Sequence, residues 1–239
     1  VRLALEDGVD IISIPAGGLS YFDKQYPYIL EALRRGIPLI VSHANSRVRM
    51  NEAASIDMYH DPDNKPIEYG SLPTSSITDE ICYWPGMVTV QALNEEGGLQ
   101  SYSDIDDPGT DICAPGENIW MQFNDWGYFE ARNGGCSTAA TAAAGYLALA
   151  MDKWPEATGN QILQLMVHTA ANQAEKSTIG KDAASVTRLT KDMYTGFGAL
   201  DVGSMIDTDP SIYPDVNPIL YMDLYREVAF ADANNSLDE

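Results

Sequence analysis

A glycine pair leading into a run of small residues constrains this chain more than any other feature. Gly134-Gly135-Cys136-Ser137-Thr138-Ala139-Ala140 opens a long Ala-rich helical stretch. Glycines let another backbone come close to the turn, and a helix start presents N–H groups and the positive end of the dipole. Negative charge developing beside Ser137 would be stabilised there. The same residues also describe a plain glycine turn with Ser137 as a helix cap, since capping serines are common. The segment alone leaves both readings open.

Around it, apolar strand patterns alternate with helical ones, which is the signature of an α/β layered fold. Residues 10–16, 37–44, 87–93 and 112–114 read as strands, and 118–123 with 128–132 as a hairpin around Asn124-Asp125-Trp126-Gly127. Helices are expected over 22–35, 136–153 and 159–171. The stretch between Asn45 and Trp84, rich in Asp, Asn, Pro and Ser, reads as an insertion. From Asp201 onward there are nine acids, one base and prolines at 210, 214 and 218. Residues 207–239 are therefore expected to form an acidic C-terminal extension or linker after a main unit of residues 1–206.

Charge narrows the partners. The chain carries 35 acidic and 14 basic residues, a formal net charge of −21. A field of that sign repels phosphate backbones and anionic membranes, so nucleic acid is not an expected partner, and the acidity reads as solvation. No apolar run reaches the length of a membrane span. Cys82, Cys113 and Cys136 lack close metal-ligand spacing, and an odd number leaves at least one unpaired within the chain. No zinc site or other metal centre is expected from them.

Several segments in a set order resemble the C-terminal two-thirds of a subtilisin-family serine protease domain. Leu3-Ala4-Leu5-Glu6-Asp7-Gly8-Val9-Asp10-Ile11-Ile12-Ser13 resembles that family's helix-to-strand passage, and Pro15-Ala16-Gly17-Gly18 falls at its Ser-Leu-Gly-Gly substrate strand. Ile37-Pro38-Leu39-Ile40-Val41-Ser42-His43-Ala44-Asn45 resembles the buried strand that ends in Ala-Ala-Gly-Asn. Trp84-Pro85-Gly86-Met87-Val88-Thr89-Val90-Gln91-Ala92, Leu99-Gln100-Ser101-Tyr102-Ser103 and Asp111-Ile112-Cys113-Ala114-Pro115-Gly116 follow its later signatures. Gly135-Cys136-Ser137-Thr138-Ala139 stands at its Gly-Thr-Ser-Met-Ala nucleophile motif. The resemblance implies a three-layer fold, a mainly parallel sheet flanked by helices and truncated at its N-terminus.

It also implies acyl transfer. Ser137 would attack the scissile carbonyl, and the Asn45 amide with the Ser137 N–H would bind the oxyanion. Gly17 and Gly18 would offer a strand edge to a peptide or protein substrate, and Ser42 and Ala44 would line the pocket for the residue before the scissile bond. Cys136 is an alternative nucleophile, but it stands at the family's threonine and Ser137 at its serine. An α/β-hydrolase reading is disfavoured because no Gly-x-Ser-x-Gly elbow frames the serine.

The family's triad runs Asp, His, Ser along the chain, and the matching segments begin after the places of Asp and His. His43 reads as a packed strand residue, His60 as a loop residue and His168 as a helix residue, none as the base. Residues 1–8 read as the end of an amphipathic helix with something before it. The chain is therefore expected to be a fragment whose first partner is the missing N-terminal segment of the same domain, inactive without it. The rival is a non-catalytic relative that binds peptide or serves as an interaction module.

Departures from the family pattern are Thr138 for Met, Thr141 for a proline at the helix start, and Pro15-Ala16 for Ser-Leu. No cofactor is called for. Asp111 matches a position that contributes to a weak cation site in some relatives, so a structural calcium is an option for the full domain, but Asp111 itself is expected as a plain surface aspartate. The resemblance favours an extracellular or cell-surface setting.

Overall fold

The computed structural model describes residues 1–16, 22–43, 45, 86–100, 103, 109–122, 128–131, 134–171, 176–177, 188–189 and 195–222. Its centre is a parallel sheet of four strands in the order β1 (Ile12–Ile14), β2 (Leu39–Ser42), β3 (Val88–Leu93) and β4 (Ile112–Pro115). Ile12 pairs with Leu39, Ile40 with Val88, and Val90 with Ile112. These are near-continuous apolar runs because a parallel sheet is covered on both faces.

The period of two within each strand divides the core. Leu39 and Val41 pack with Leu5 of α1 (Arg2–Asp7) and with Ile29 and Leu30 of α2 (Phe22–Arg34). Ile40, between them in sequence, joins Val88, Val90 and Ile112 under α3 (Cys136–Lys153) and α4 (Gly159–Thr169). The result is three layers, helices on either side of a sheet, which is the expected class. The expected elements all form, each within a few residues of its expected ends.

The composition of α3 explains its place. Ala139, Ala140, Ala143, Leu147 and Ala150 are fully buried at helical spacing, and the helix contacts all four strands. Alanine lets its backbone lie close to the sheet while keeping helix propensity. α4 starts with a reciprocal cap in which Thr158 Oγ1 accepts from the Gln161 N–H at 3.2 Å and Gln161 Oε1 accepts from the Thr158 N–H at 3.0 Å. The hairpin forms between β5 (Ile119–Gln122) and β6 (Tyr128–Ala131).

Two features were not expected from the sequence. Residues 195–200 lie beside β4, with the Cys113 N–H donating to the Gly198 carbonyl at 2.9 Å and the Leu200 N–H to the Cys113 carbonyl at 2.8 Å. Beyond residue 207 the chain stays packed on the domain as far as it is described. Gln161 and Gln164 side chains donate to the Tyr213 and Val216 carbonyls, Asn217 Nδ2 donates to the Gly86 carbonyl, and Ile219 is buried in the main core. α5 (Val202–Asp207) leads into this segment, and α6 (Pro218–Met222) lies within it.

Candidate active site

Pro15, just beyond β1, and Asn45, beyond β2, meet the start of α3 at the carboxyl ends of the strands, the end of a parallel sheet where ligands commonly bind. The glycine turn is seated by backbone contact. A Cβ on Gly134 would sit 1.9 Å from the Gly116 carbonyl oxygen. One on Gly116 would sit 2.5 Å from Ala92 Cβ and 3.0 Å from the Gly135 carbonyl oxygen. Any side chain at either position would push the turn off the end of β4.

Asn45, three residues beyond β2, reaches this turn. Its Oδ1 accepts from the Cys136 N–H at 2.9 Å, joining residues 91 apart in the chain. Its amide atoms lie 3.1–3.3 Å from where a Cβ on Gly135 would be, so the glycine also makes room for the asparagine. Ser137 is the second residue of α3. Its N–H lies in the first turn, which has no intrahelical acceptor, at the positive end of the dipole. A hydroxyl, an amide and such N–H groups together can stabilise charge on an attacked carbonyl.

The serine is half-buried and lines an open groove of about 400 Å³ with Pro15, Ile119, Trp120, Thr138 and Thr141. Cys136 is different. Its side chain is fully buried and Sγ donates to Gln91 Oε1 at 3.3 Å. The two threonines that depart from the family pattern both serve the turn. Thr138 Oγ1 accepts from the Gly135 N–H at 3.4 Å, and Thr141 Oγ1 donates to the Ser137 carbonyl at 2.9 Å.

The remaining expectations divide. Ser42 is buried at the end of β2. Gly17, Gly18, Ala44, His60 and Cys82 lie outside the described residues. His43 is buried and its N–H extends the β2–β3 ladder to the Val90 carbonyl at 3.0 Å. His168 stacks on the Tyr213 ring at 4.6 Å, and neither histidine lines the groove. Asp111 corrects the sequence reading. It is fully buried, not on the surface, and Oδ2 accepts from the Thr89 N–H at 2.7 Å at the head of β4, where the carboxylate takes up a backbone donor of β3.

Sequence reasoning missed Gln91 and the contact between Gly116 and Gly134. The signal for the first was present, a long amide inside an otherwise buried strand. The second depends on two distant backbones and leaves no local trace.

Solved structures share this fold. MycP1 from the ESX-1 type VII secretion system superposes with a TM-score of 0.64 at 18% identity, covering 90% of this chain and 56% of that one. A lanthipeptide protease gives 0.57 at 16% identity, with 86% and 63% covered. The prenylagaramide maturation protease PagA gives 0.56 at 17% identity, with 86% and 64% covered. The chain thus spans less than two thirds of each of these neighbours, and at such identities the likeness is one of fold. No curated protein matches the sequence. Residues 1–197, however, match the Peptidase S8 subtilase family along their length, through the strands, the Asn45 loop and the glycine turn at Ser137. This chain belongs to the subtilase family.

Proposed function

We propose that the chain is the nucleophile-bearing part of a serine endopeptidase domain. Ser137 attacks the scissile carbonyl of a peptide or protein substrate, and the Asn45 amide with the Ser137 N–H binds the oxyanion. A histidine and an aspartate from another portion of the same domain handle the proton. The carrying observation is the 2.9 Å bond between the Cys136 N–H and Asn45 Oδ1, which brings the two family motifs to one point. The exposed groove beside Ser137 and the buried, engaged thiol of Cys136 favour the serine as nucleophile. In this reading Gly17 and Gly18 pair with substrate backbone, and Ser42 and Ala44 shape the pocket beside it.

The seam between β1 and α3 supports a complementary portion. Among the described residues β1 has no strand on its outer edge. α3 leaves Thr141, Gly145, Ala148 and Leu149 exposed on one side. A second cavity of about 740 Å³, between Asp10–Ile11 and Ala148–Asp152, opens at the far end of the same seam. A strand and a helix laid there would cover it and bring a base to Ser137. Residues 1–206 are then the peptidase portion and 207–239 an extension, packed on it at least through Ile219.

A fluorophosphonate probe tests this on the full-length protein that contains the chain. A hydroxyl activated by a base beside an oxyanion hole reacts where ordinary serines do not. Label is expected on Ser137 and none on the Ser137→Ala variant, while the 239-residue chain alone hydrolyses chromogenic peptides at background. Label on Cys136 or Ser101, or robust turnover by the chain alone, overturns the assignment.

A further inference from the structure

Gln91 stands where a parallel strand has least use for it. All six residues of β3 are buried, and the Gln91 side chain is fully enclosed. Burying a primary amide there is costly unless it is bonded. Its Oε1 accepts from Cys136 Sγ at 3.3 Å, and the backbone N–H of the same cysteine donates to Asn45 Oδ1 at 2.9 Å. One residue is thus gripped twice, by its side chain from β3 and by its backbone from the end of β2. The next residue is Ser137.

We infer that Gln91 is a positioning residue for the nucleophile turn and for the oxyanion amide, acting through Cys136. This rests on the reading of Ser137 and Asn45 given above. A backbone N–H can only donate, so the Asn45 atom facing Cys136 is the amide oxygen, and this bond sets how the side-chain amide is turned and with it the direction of the NH₂. The orientation of that NH₂ therefore follows the place of the Cys136 N–H. That place in turn depends on the Cys136 side chain, anchored in β3 one residue beyond Val90, which itself lies level with Ser42. A thiol hydrogen bond is weak, but in a dry interior it selects one rotamer and one helix start, and orientation is the quantity at stake. The glycine turn is held from below by Gly116 and from the side by Asn45, and Gln91 supplies the anchor from inside the sheet.

The test uses the full-length protein, with kcat and KM on a chromogenic peptide and the rate of fluorophosphonate labelling at Ser137, each per folded molecule. Gln91→Leu and Cys136→Ala remove one end of the bond each, and Cys136→Ser restores a donor. A misplaced reacting group costs up to about a hundredfold, so Gln91→Leu and Cys136→Ala should each lose about tenfold or more in kcat and labelling with KM within roughly twofold. Cys136→Ser should retain most of the turnover. The double variant should be no slower than the worse single one, because both act through one bond. Wild-type labelling at Ser137 combined with full kcat in folded Gln91→Leu, or additive losses in the double variant, overturns the positioning role and leaves the nucleophile reading intact. Absence of label at Ser137 in the wild type overturns both. Should Gln91→Leu fail to fold, the contrast between Cys136→Ala and Cys136→Ser decides alone, and equal activity of the two refutes the inference.

Discussion

Replacing Gly134 by alanine is the sharpest single perturbation of this site. The added Cβ would sit 1.9 Å from the Gly116 carbonyl oxygen, which is backbone and cannot swing aside. Carbon and oxygen approach no closer than about 3.3 Å, so the turn and the strand end must part by roughly 1.4 Å. Overpacking of this kind costs about 1–3 kcal/mol in stability. The functional loss should be larger in proportion, because the same movement pulls the Cys136 N–H away from Asn45 Oδ1, now 2.9 Å distant, and carries Ser137 with it. A displacement of about 1 Å at a reacting group costs on the order of a hundredfold. In the full-length protein, Gly134→Ala should therefore remain folded, with a lowered denaturant midpoint, and label with fluorophosphonate about a hundredfold more slowly. Gly98→Ala is the control, since a Cβ there meets only the Asn94 side chain, at ordinary contact distances of 3.5–3.9 Å. If Gly134→Ala labels within twofold of wild type, the turn is not held by Gly116 and the account of how Ser137 is placed fails.

Two further outcomes follow from the same geometry. Asn45→Ala should lower turnover with little change in KM, by about the hundredfold to thousandfold loss measured for the corresponding donor of subtilisin itself. Asn45→Asp keeps an acceptor for the Cys136 N–H but loses the donor, so an equal loss with an intact fold would separate the oxyanion role from the structural one, and near-normal turnover in both would leave Asn45 a structural residue. Asp201 caps α5 through the Ser204 N–H at 3.0 Å and the Ser204 hydroxyl at 2.8 Å, and these bonds hold its carboxyl below the usual range. A lowered folded pKa means the stabilisation is full above the unfolded value of about 3.9 and is lost as pH falls through the lower folded one. Asp201→Ala should cost about 1 kcal/mol near neutral pH and progressively less in acid, and a cost in urea unfolding that does not change with pH would refute the capping role.

The sequence carried the layers because each is written in a local period. Val88–Leu93 is mostly apolar, as a strand buried on both faces tends to be, and Cys136–Lys153 places its alanines at helical spacing, so strand, helix and their alternation were legible without the fold. Ser137 and Asn45 were legible as motif positions. What bonds them was not. The Asn45 amide is fixed by a backbone donor 91 residues away, the glycine turn by Gly116, and the thiol of Cys136 by Gln91, and no spacing along the chain encodes such meetings. Asp111 shows the same limit, since an aspartate before a strand looks like a surface residue until the strand beside it presents the Thr89 N–H. The segment after Asp207 read as a linker because its acids and prolines are polar locally. Its seat against Gln161, Gln164 and Gly86 is made by side chains of distant elements donating to its carbonyls, or by its own Asn217 reaching back. Local periodicity fixes which residues form an element and which face is apolar. Only the packed chain decides which polar group meets which, because a hydrogen bond depends on angstrom-scale distances between segments that the sequence leaves far apart.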